Sequence, residues 1–315
     1  MPETKLRLQK IILWYIILSI IALYWANTIP QLLEAGPKPA PEIPIEKGRH
    51  PLLMAIGLGF FIAIPLSFCL FIAACVLVYK KQLRPIYKRN KLPDAQAIIY
   101  LEAAVICLLY IFFIGAVARF LPELWRWVVM LPLLLIFGYL RLRGLSMKKI
   151  LIGTGFYCKK NILIECFYGV LGYFALIPIL MVGFVLTIGL KKLNLVQGHP
   201  IGEKLLTADG PQLLSLFVMA CVMAPIFEEL IFRGLLYNYL RKSHSILISA
   251  LLNGFIFAAI HPQGLGAIPL LTCIAINLSI IREWRGSLIP SMAAHAANNF
   301  TALAMSLLLF RFILN

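Results

Sequence analysis

The stretch Leu213–Arg233, LLSLFVMACVMAPIFEELIFR, is an apolar run that carries two adjacent carboxylates, Glu228 and Glu229, with Arg233 four residues after the second. About 20 predominantly apolar residues cross the hydrocarbon core of a bilayer as a helix. An ionised side chain at that depth is costly and seldom occurs without a partner or a task. Glu229 and Arg233 stand i,i+4, so they pair on one helix face and each offsets the burial of the other. Glu228 is rotated about 100° from Glu229 and faces a different neighbour. The run therefore reads as a membrane helix with one carboxylate accounted for and one free to act.

The rest of the chain has the same character. Of its 315 residues, 61% are hydrophobic and 13% charged, against about 25% charged in a soluble domain. Apolar runs lie at roughly 11–27, 52–79, 97–118, 121–140, 162–190, 212–240, 245–261, 265–281 and 287–310, each judged against the length needed to span. They predict an all-α, polytopic transmembrane bundle of about eight or nine helices, eight if 121–140, with Glu123, Arg126 and Pro132, does not cross. Lys5, Arg7 and Lys10 precede the first run as in a signal peptide, but Tyr24 and Ala26 do not make a small-x-small cleavage site, so the run reads as an uncleaved helix. Residues 28–51, with Pro37, Pro39, Pro41 and Pro44, read as an external loop.

The formal charge of +16 does not point to nucleic acid, because the basic residues sit in short loops between apolar runs. One group is Lys80, Lys81, Arg84, Lys88, Arg89 and Lys91; another is Arg141, Arg143, Lys148, Lys149, Lys159 and Lys160. Arg241, Lys242 and the Arg282–Arg285 turn fall on the same side. Such loops face the cytoplasm and attract anionic lipid. This predicts a multi-pass protein of the plasma or inner membrane, amino terminus cytoplasmic, with membrane lipids and no nucleic acid among its partners. The seven cysteines lie mostly in apolar runs without a CxxC pair and read as small buried hydrophobes. Glu102 reads as a packing carboxylate, and 142–160, mixing basic and apolar residues, as a segment along the interface.

The polar residues that matter cluster late. Phe257-Ala-Ala-Ile-His261 and His295-Ala-Ala-Asn-Asn299 each place one histidine in an apolar run. If each helix starts at the cytoplasmic face, Glu228 lies ~18 Å up, His261 ~25 Å, His295 ~13 Å and Asn299 ~19 Å, all in the middle of a ~30 Å core. Pro225 and Pro262 flank these residues and can free backbone groups towards a wet cavity. Asn253 and Asn277 read as interhelical hydrogen bonds, and His50, His199 and His244 as surface residues. The chain divides as 1–160, N-terminal helices of unassigned role; 161–211, a connecting helix and loop; and 212–315, the functional core. A glutamate and two histidines from separate helices suit water activation and hydrolysis of a peptide bond. The same three, Glu228, His261 and His295, form a zinc ligand set with one open position, although there is no HExxH helix. Two other readings compete: a non-enzymatic immunity or scaffold protein, and a transporter. The absence of internal repeats weighs against the latter.

EExxxR (Glu228, Glu229, Arg233), FxxxH (Phe257, His261) and HxxxN (His295, Asn299), in that order, resemble the three motifs of the CaaX protease and bacteriocin-processing (CPBP, or Abi) family of intramembrane proteases, which includes the Ras-converting CaaX endopeptidase. The resemblance covers about residues 212–310. It implies that Glu228 is the general base, assisted by His261, that His295 and Asn299 stabilise the oxyanion, and that Glu229, Arg233 and Phe257 support the site. The family is described both as metalloproteases and as glutamate-dependent enzymes, so the resemblance leaves zinc open. It implies a membrane-associated protein or peptide as substrate, prenylated or not.

Overall fold

The structure is a computed structural model and describes residues 3–34, 51–83, 93–117, 131–158, 161–191, 205, 208–261 and 263–312. The loop expected at 28–51, most of the first basic group, the start of the span expected at 121–140, and His50, His199 and Pro262 lie wholly or largely outside these residues. The described residues are helical, with no strand among them. We number the helices α1 (Glu3–Glu34), α2 (Pro51–Tyr79), α3 (Asp94–Val117), α4 (Leu131–Leu142), α5 (Met147–Thr154) and α6 (Ile162–Ala175). There follow α7 (Ile177–Lys191), α8 (Gly210–Ser243), α9 (Ile246–Ala259), α10 (Leu265–Arg285) and α11 (Leu288–Phe312).

Among the described residues α1, α2, α3, α8 and α10 are long and apolar enough to cross a membrane, and α6 with α7 makes a sixth span if the bent pair is one. The chain is an integral membrane protein. Over residues 57–79 helix α2 turns most of its apolar side chains outward, with Phe61 77% exposed, which suits lipid and not water. Helix α3 is instead largely interior. The core runs from Ile17 of α1 through Leu101 and Ala104 of α3 and Ile136 of α4 to Leu230 and Leu236 of α8, Phe257 of α9 and Leu288 of α11. Glu102 joins three helices: Gln9 of α1 and Tyr139 of α4 donate to it, and Arg143 pairs with it at 2.9 Å.

Several details differ from the sequence expectation. The span expected at 162–190 is broken at Leu176, where α6 and α7 meet at 48°. Pro178 has no N–H to continue the helix, and at the break the Leu176 carbonyl accepts from both Ile179 N–H and Asn277 Nδ2, each at 3.0 Å. Residues 147–154 form a short helix whose buried Ile150 and Thr154 pack against α8 while Lys148 and Lys149 face outward. The Arg282–Arg285 turn is not a bare charged loop. Arg282 is buried and donates to the Thr154 carbonyl, and Arg285 makes a bidentate pair with Glu165 at 2.7 and 3.0 Å.

The estimate for His295 took α11 to start level with the cytoplasmic end of α8. Leu288 instead packs beside Gly234 and Thr154, and its N–H donates to the Gly155 carbonyl at 2.8 Å. Gly234 is nine residues inside the end of α8, or about 14 Å up the helix. Helix α11 therefore begins well within the bundle, and His295 rises to the level of Glu228. Close approach of α6 holds α11 there, because a Cβ at Gly169 would collide with the Pro290 carbonyl. Gly169→Ala should accordingly lower the stability of the detergent-solubilised protein by about 1–3 kcal/mol. Thermal unfolding measures this, and an unchanged midpoint would show that α6 and α11 are not in such contact.

Candidate active site

Helix α8 does not keep one hydrogen-bond register. It has π-helical turns at Met219–Met223 and Leu230–Leu236, with ordinary α-helix between them. Such insertions change which way the following side chains point and are frequent at functional sites. The first turn has a local cause. Ala224 N–H donates to the Met219 carbonyl, and Pro225, next in line, has no N–H to offer. The Ala220 carbonyl thus turns outward and accepts from Asn299 Nδ2 of α11 at 2.8 Å.

The Glu pair sits between the two π turns. Glu229 and Arg233 have no exposed side-chain surface and pair at 2.9 Å. Arg233 also donates to the Ala275 carbonyl of α10 at 3.0 Å, and its guanidinium carbon lies 5.1 Å from the Phe257 ring centre. The same Glu229 oxygen accepts from His295 Nδ1 at 3.0 Å. Ser291, one turn before His295 on α11, lies beside Glu229 and donates its hydroxyl to the Leu288 carbonyl at 3.0 Å. The EExxxR arginine is therefore a bolt joining α8, α9, α10 and, through Glu229, α11.

Glu228 faces the other way, into a part-open space with 27% of its side chain exposed. Its Oε2 lies 3.6 Å from His295 Nε2 and 3.9 Å from His261 Nε2. His261 is not on a helix, as the apolar run implied. Helix α9 ends at Ala259, and His261 occupies the bend that follows. Its ring stacks at 4.1 Å on Phe257, whose own ring meets Phe232 edge-on at 5.0 Å. Tyr24 of α1 donates to the His261 carbonyl at 2.9 Å.

The hydrogen bonds fix the tautomers. His261 Nδ1 contacts the Phe257 carbonyl, which can only accept, so Nδ1 carries a proton. His295 Nδ1 contacts a carboxylate held ionised by Arg233, so it too carries a proton. In their neutral forms both rings then present bare Nε2 atoms to Glu228. Three acceptors at 3.6 and 3.9 Å are too far apart to bond directly, and they converge as they would around a shared proton donor. Chemically, one oxygen and two imidazole nitrogens also suit zinc, and both rings are anchored through Nδ1 as metal ligands are. The fit is incomplete: donors on a zinc at ~2.0–2.1 Å stand closer together than these, and no group of three His, Cys, Asp or Glu among the described residues is arranged to hold a metal ion.

The structure thus brings Glu228, Glu229, Arg233, Phe257, His261 and His295 into one cluster. Asn299 lies one turn beyond His295, its amide donating to Ala220 and its carbonyl accepting from Asn298 Nδ2 at 3.2 Å. The sequence reading missed Tyr24 and Ser291. Ser291 could have been found, because it precedes His295 by four residues on the face already singled out. Tyr24 carried no such signal.

Residues 210–301 match the family model for the type II CAAX prenyl endopeptidase, Rce1-like. No curated protein and no solved structure matches the chain. The matched segment holds every member of the cluster; Tyr24 lies outside it. For the two glutamates the geometry predicts opposite costs. Glu229→Gln leaves Arg233 buried without a counter-charge and should destabilise the protein by about 3–5 kcal/mol. Glu228→Gln, part-exposed and outside that pair, should leave stability nearly unchanged. Unfolding of the two variants in parallel checks this, and equal stability would contradict the division.

Proposed function

We propose that this chain is an intramembrane endopeptidase in which Glu228 and His261 activate water, a reading supported by the match of residues 210–301 to the Rce1-like type II CAAX prenyl endopeptidase model. The observation that carries the reading is the convergence of two Nε2 atoms on one carboxylate oxygen. Water bound there donates to Glu228 and to an imidazole, and as its oxygen attacks the scissile carbonyl its proton passes to Glu228. Collapse of the tetrahedral intermediate breaks the C–N bond, and the stored proton goes to the leaving amine. His295, backed by the Glu229 carboxylate, is suited to carry positive charge, and as imidazolium its Nε2–H donates to the oxyanion. Asn299 has a second amide N–H not taken by Ala220, which serves the same end. A zinc held by Glu228, His261 and His295 would instead supply Lewis acidity and lower the pKa of bound water.

The substrate in this reading is a membrane-associated protein or peptide, cut at a CaaX-type terminus or in a precursor. A site set among lipid-facing helices suits a chain that reaches it along the bilayer. We place the amino terminus, the exposed Arg143, Lys148 and Lys149, and the half-buried Lys242 in the cytoplasm. A cysteine introduced at Gly144 should be shielded from a membrane-impermeant thiol reagent in intact cells and labelled after lysis. Labelling in intact cells would invert the orientation.

The catalytic test uses proteoliposomes and an internally quenched peptide ending in a farnesylated CaaX sequence, with its unprenylated form alongside. Glu228→Gln should lower turnover by about 10²–10⁴-fold. Wild-type turnover on either peptide that survives this substitution would refute the base assignment. Cleavage should also persist after exhaustive chelation, with metal content unaltered in His295→Ala. Stoichiometric zinc that disappears in that variant would establish the metalloprotease form instead.

A further inference from the structure

His261 is the member of the cluster not carried on a continuous helix. Glu228 rides on α8 and His295 on α11, whereas His261 follows the end of α9, past Ile260 at φ −99° and ψ 1°. Two of its hydrogen bonds return to the last turn of its own helix: its N–H donates to the Ala258 carbonyl at 3.1 Å and its Nδ1 to the Phe257 carbonyl. Its own carbonyl lies beyond the helix, where backbone acceptors have no intrahelical donor. The residue that supplies one is Tyr24, at 2.9 Å, from a helix 237 positions earlier in the chain.

Helix α1 has the means to hold that hydroxyl at a fixed height. Gln9 donates to Glu102, Trp14 Nε1 donates to Tyr239 at 3.4 Å, and Ile17 and Ile20 are buried in the core. Trp14, Ile17, Ile20 and Tyr24 recur at three- and four-residue spacing, which is one face of a helix. That face is registered against α3 and α8, so the Tyr24 hydroxyl arrives at the bend from a support independent of α9.

We propose that Tyr24 is a positioning residue for His261: the N-terminal helix, outside the matched protease segment, completes the site by clamping the bend that aims His261 at Glu228. The proposal rests on the reading in which His261 acts with Glu228 on water. It gives the N-terminal part of the chain a task in the reaction without placing any of its atoms on the substrate. With the clamp removed the imidazole swings about the bend, and its Nε2 no longer keeps station beside Glu228. A misplacement of about 1 Å can cost a hundredfold in rate.

The test pairs a chemical readout with a kinetic one on the full chain in proteoliposomes. Tyr24→Phe keeps the ring and removes the hydroxyl; Tyr15→Phe, on the outward face of α1 where the side chain is 72% exposed, is the control. Diethylpyrocarbonate modification of His261 and His295, followed by mass spectrometry, reports ring freedom without requiring turnover. Tyr24→Phe should speed modification of His261 several-fold relative to His295, and lower kcat on the quenched farnesyl peptide about tenfold or more with KM unchanged. In a His261→Ala background the same substitution should cause no further loss. Tyr15→Phe should change neither readout. Equal modification ratios in Tyr24→Phe and wild type, or a kcat loss that persists in the His261→Ala background, would overturn the proposal. If wild type cleaves neither peptide, the peptidase reading fails on its own account, and the modification ratio still decides whether Tyr24 clamps His261.

Discussion

The ion pair of Glu229 and Arg233, neither with any exposed side-chain surface, is the interaction on which the site depends. Two charges so deep are tolerable only when paired. Arg233 reaches a carboxylate, a backbone carbonyl of α10 and the face of Phe257, while the carboxylate also holds His295 Nδ1. Three consequences follow. Helices α8, α10 and α11 are tied at one depth, the carboxylate is kept ionised, and the histidine is forced into the tautomer whose free nitrogen faces Glu228. A structural pair thereby sets the chemistry of its neighbour.

The register of α8 gives the same helix two uses. Pro225 and the first π turn release the Ala220 carbonyl, and Asn299 takes it. Beyond the second π turn, Tyr237 and Arg241 both bond Glu283 of α10, continuing the polar contacts towards the end of the helix. The helix is thus bolted to its neighbours above, at and below the Glu pair. Glu228 is left as the carboxylate that points into open space. A side chain free of structural duty, surrounded by ones that are not, is available to change protonation without unsettling the fold.

Much of this was legible in the sequence because the membrane simplifies the problem. Long apolar runs define helices, and polar residues within them stand out against a uniform background, so EExxxR, FxxxH and the histidine of HxxxN picked out side chains that lie together, while Asn299 bonds the Ala220 carbonyl one turn away. The spacing of Glu229 and Arg233 gave their pairing, and Asn277 was readable as an interhelical bond. The rest failed for particular reasons. Depth counted from helix ends misplaced His295, because α11 starts beside Gly234 rather than at the surface. Hydropathy could not show that α9 stops at Ala259, since Ile260 continues the apolar run through the bend. The break at Leu176 was hidden in the same way, although Pro178 marked it. Tyr24 could not be read at all: its partner is a backbone carbonyl far along the chain, and a carbonyl leaves no mark on sequence.

The central claim is that the Glu229–Arg233 pair and the Phe257 carbonyl fix both histidines with Nδ1 protonated and Nε2 turned bare to Glu228. Nitrogen-15 NMR of histidine-labelled protein, assigned by single substitutions and recorded where the imidazoles are neutral, measures this directly. The account predicts a protonated Nδ1 and an unprotonated Nε2 for both His261 and His295, and loss of that tautomer at His295 alone in Glu229→Gln. A protonated Nε2 on either neutral ring would contradict it.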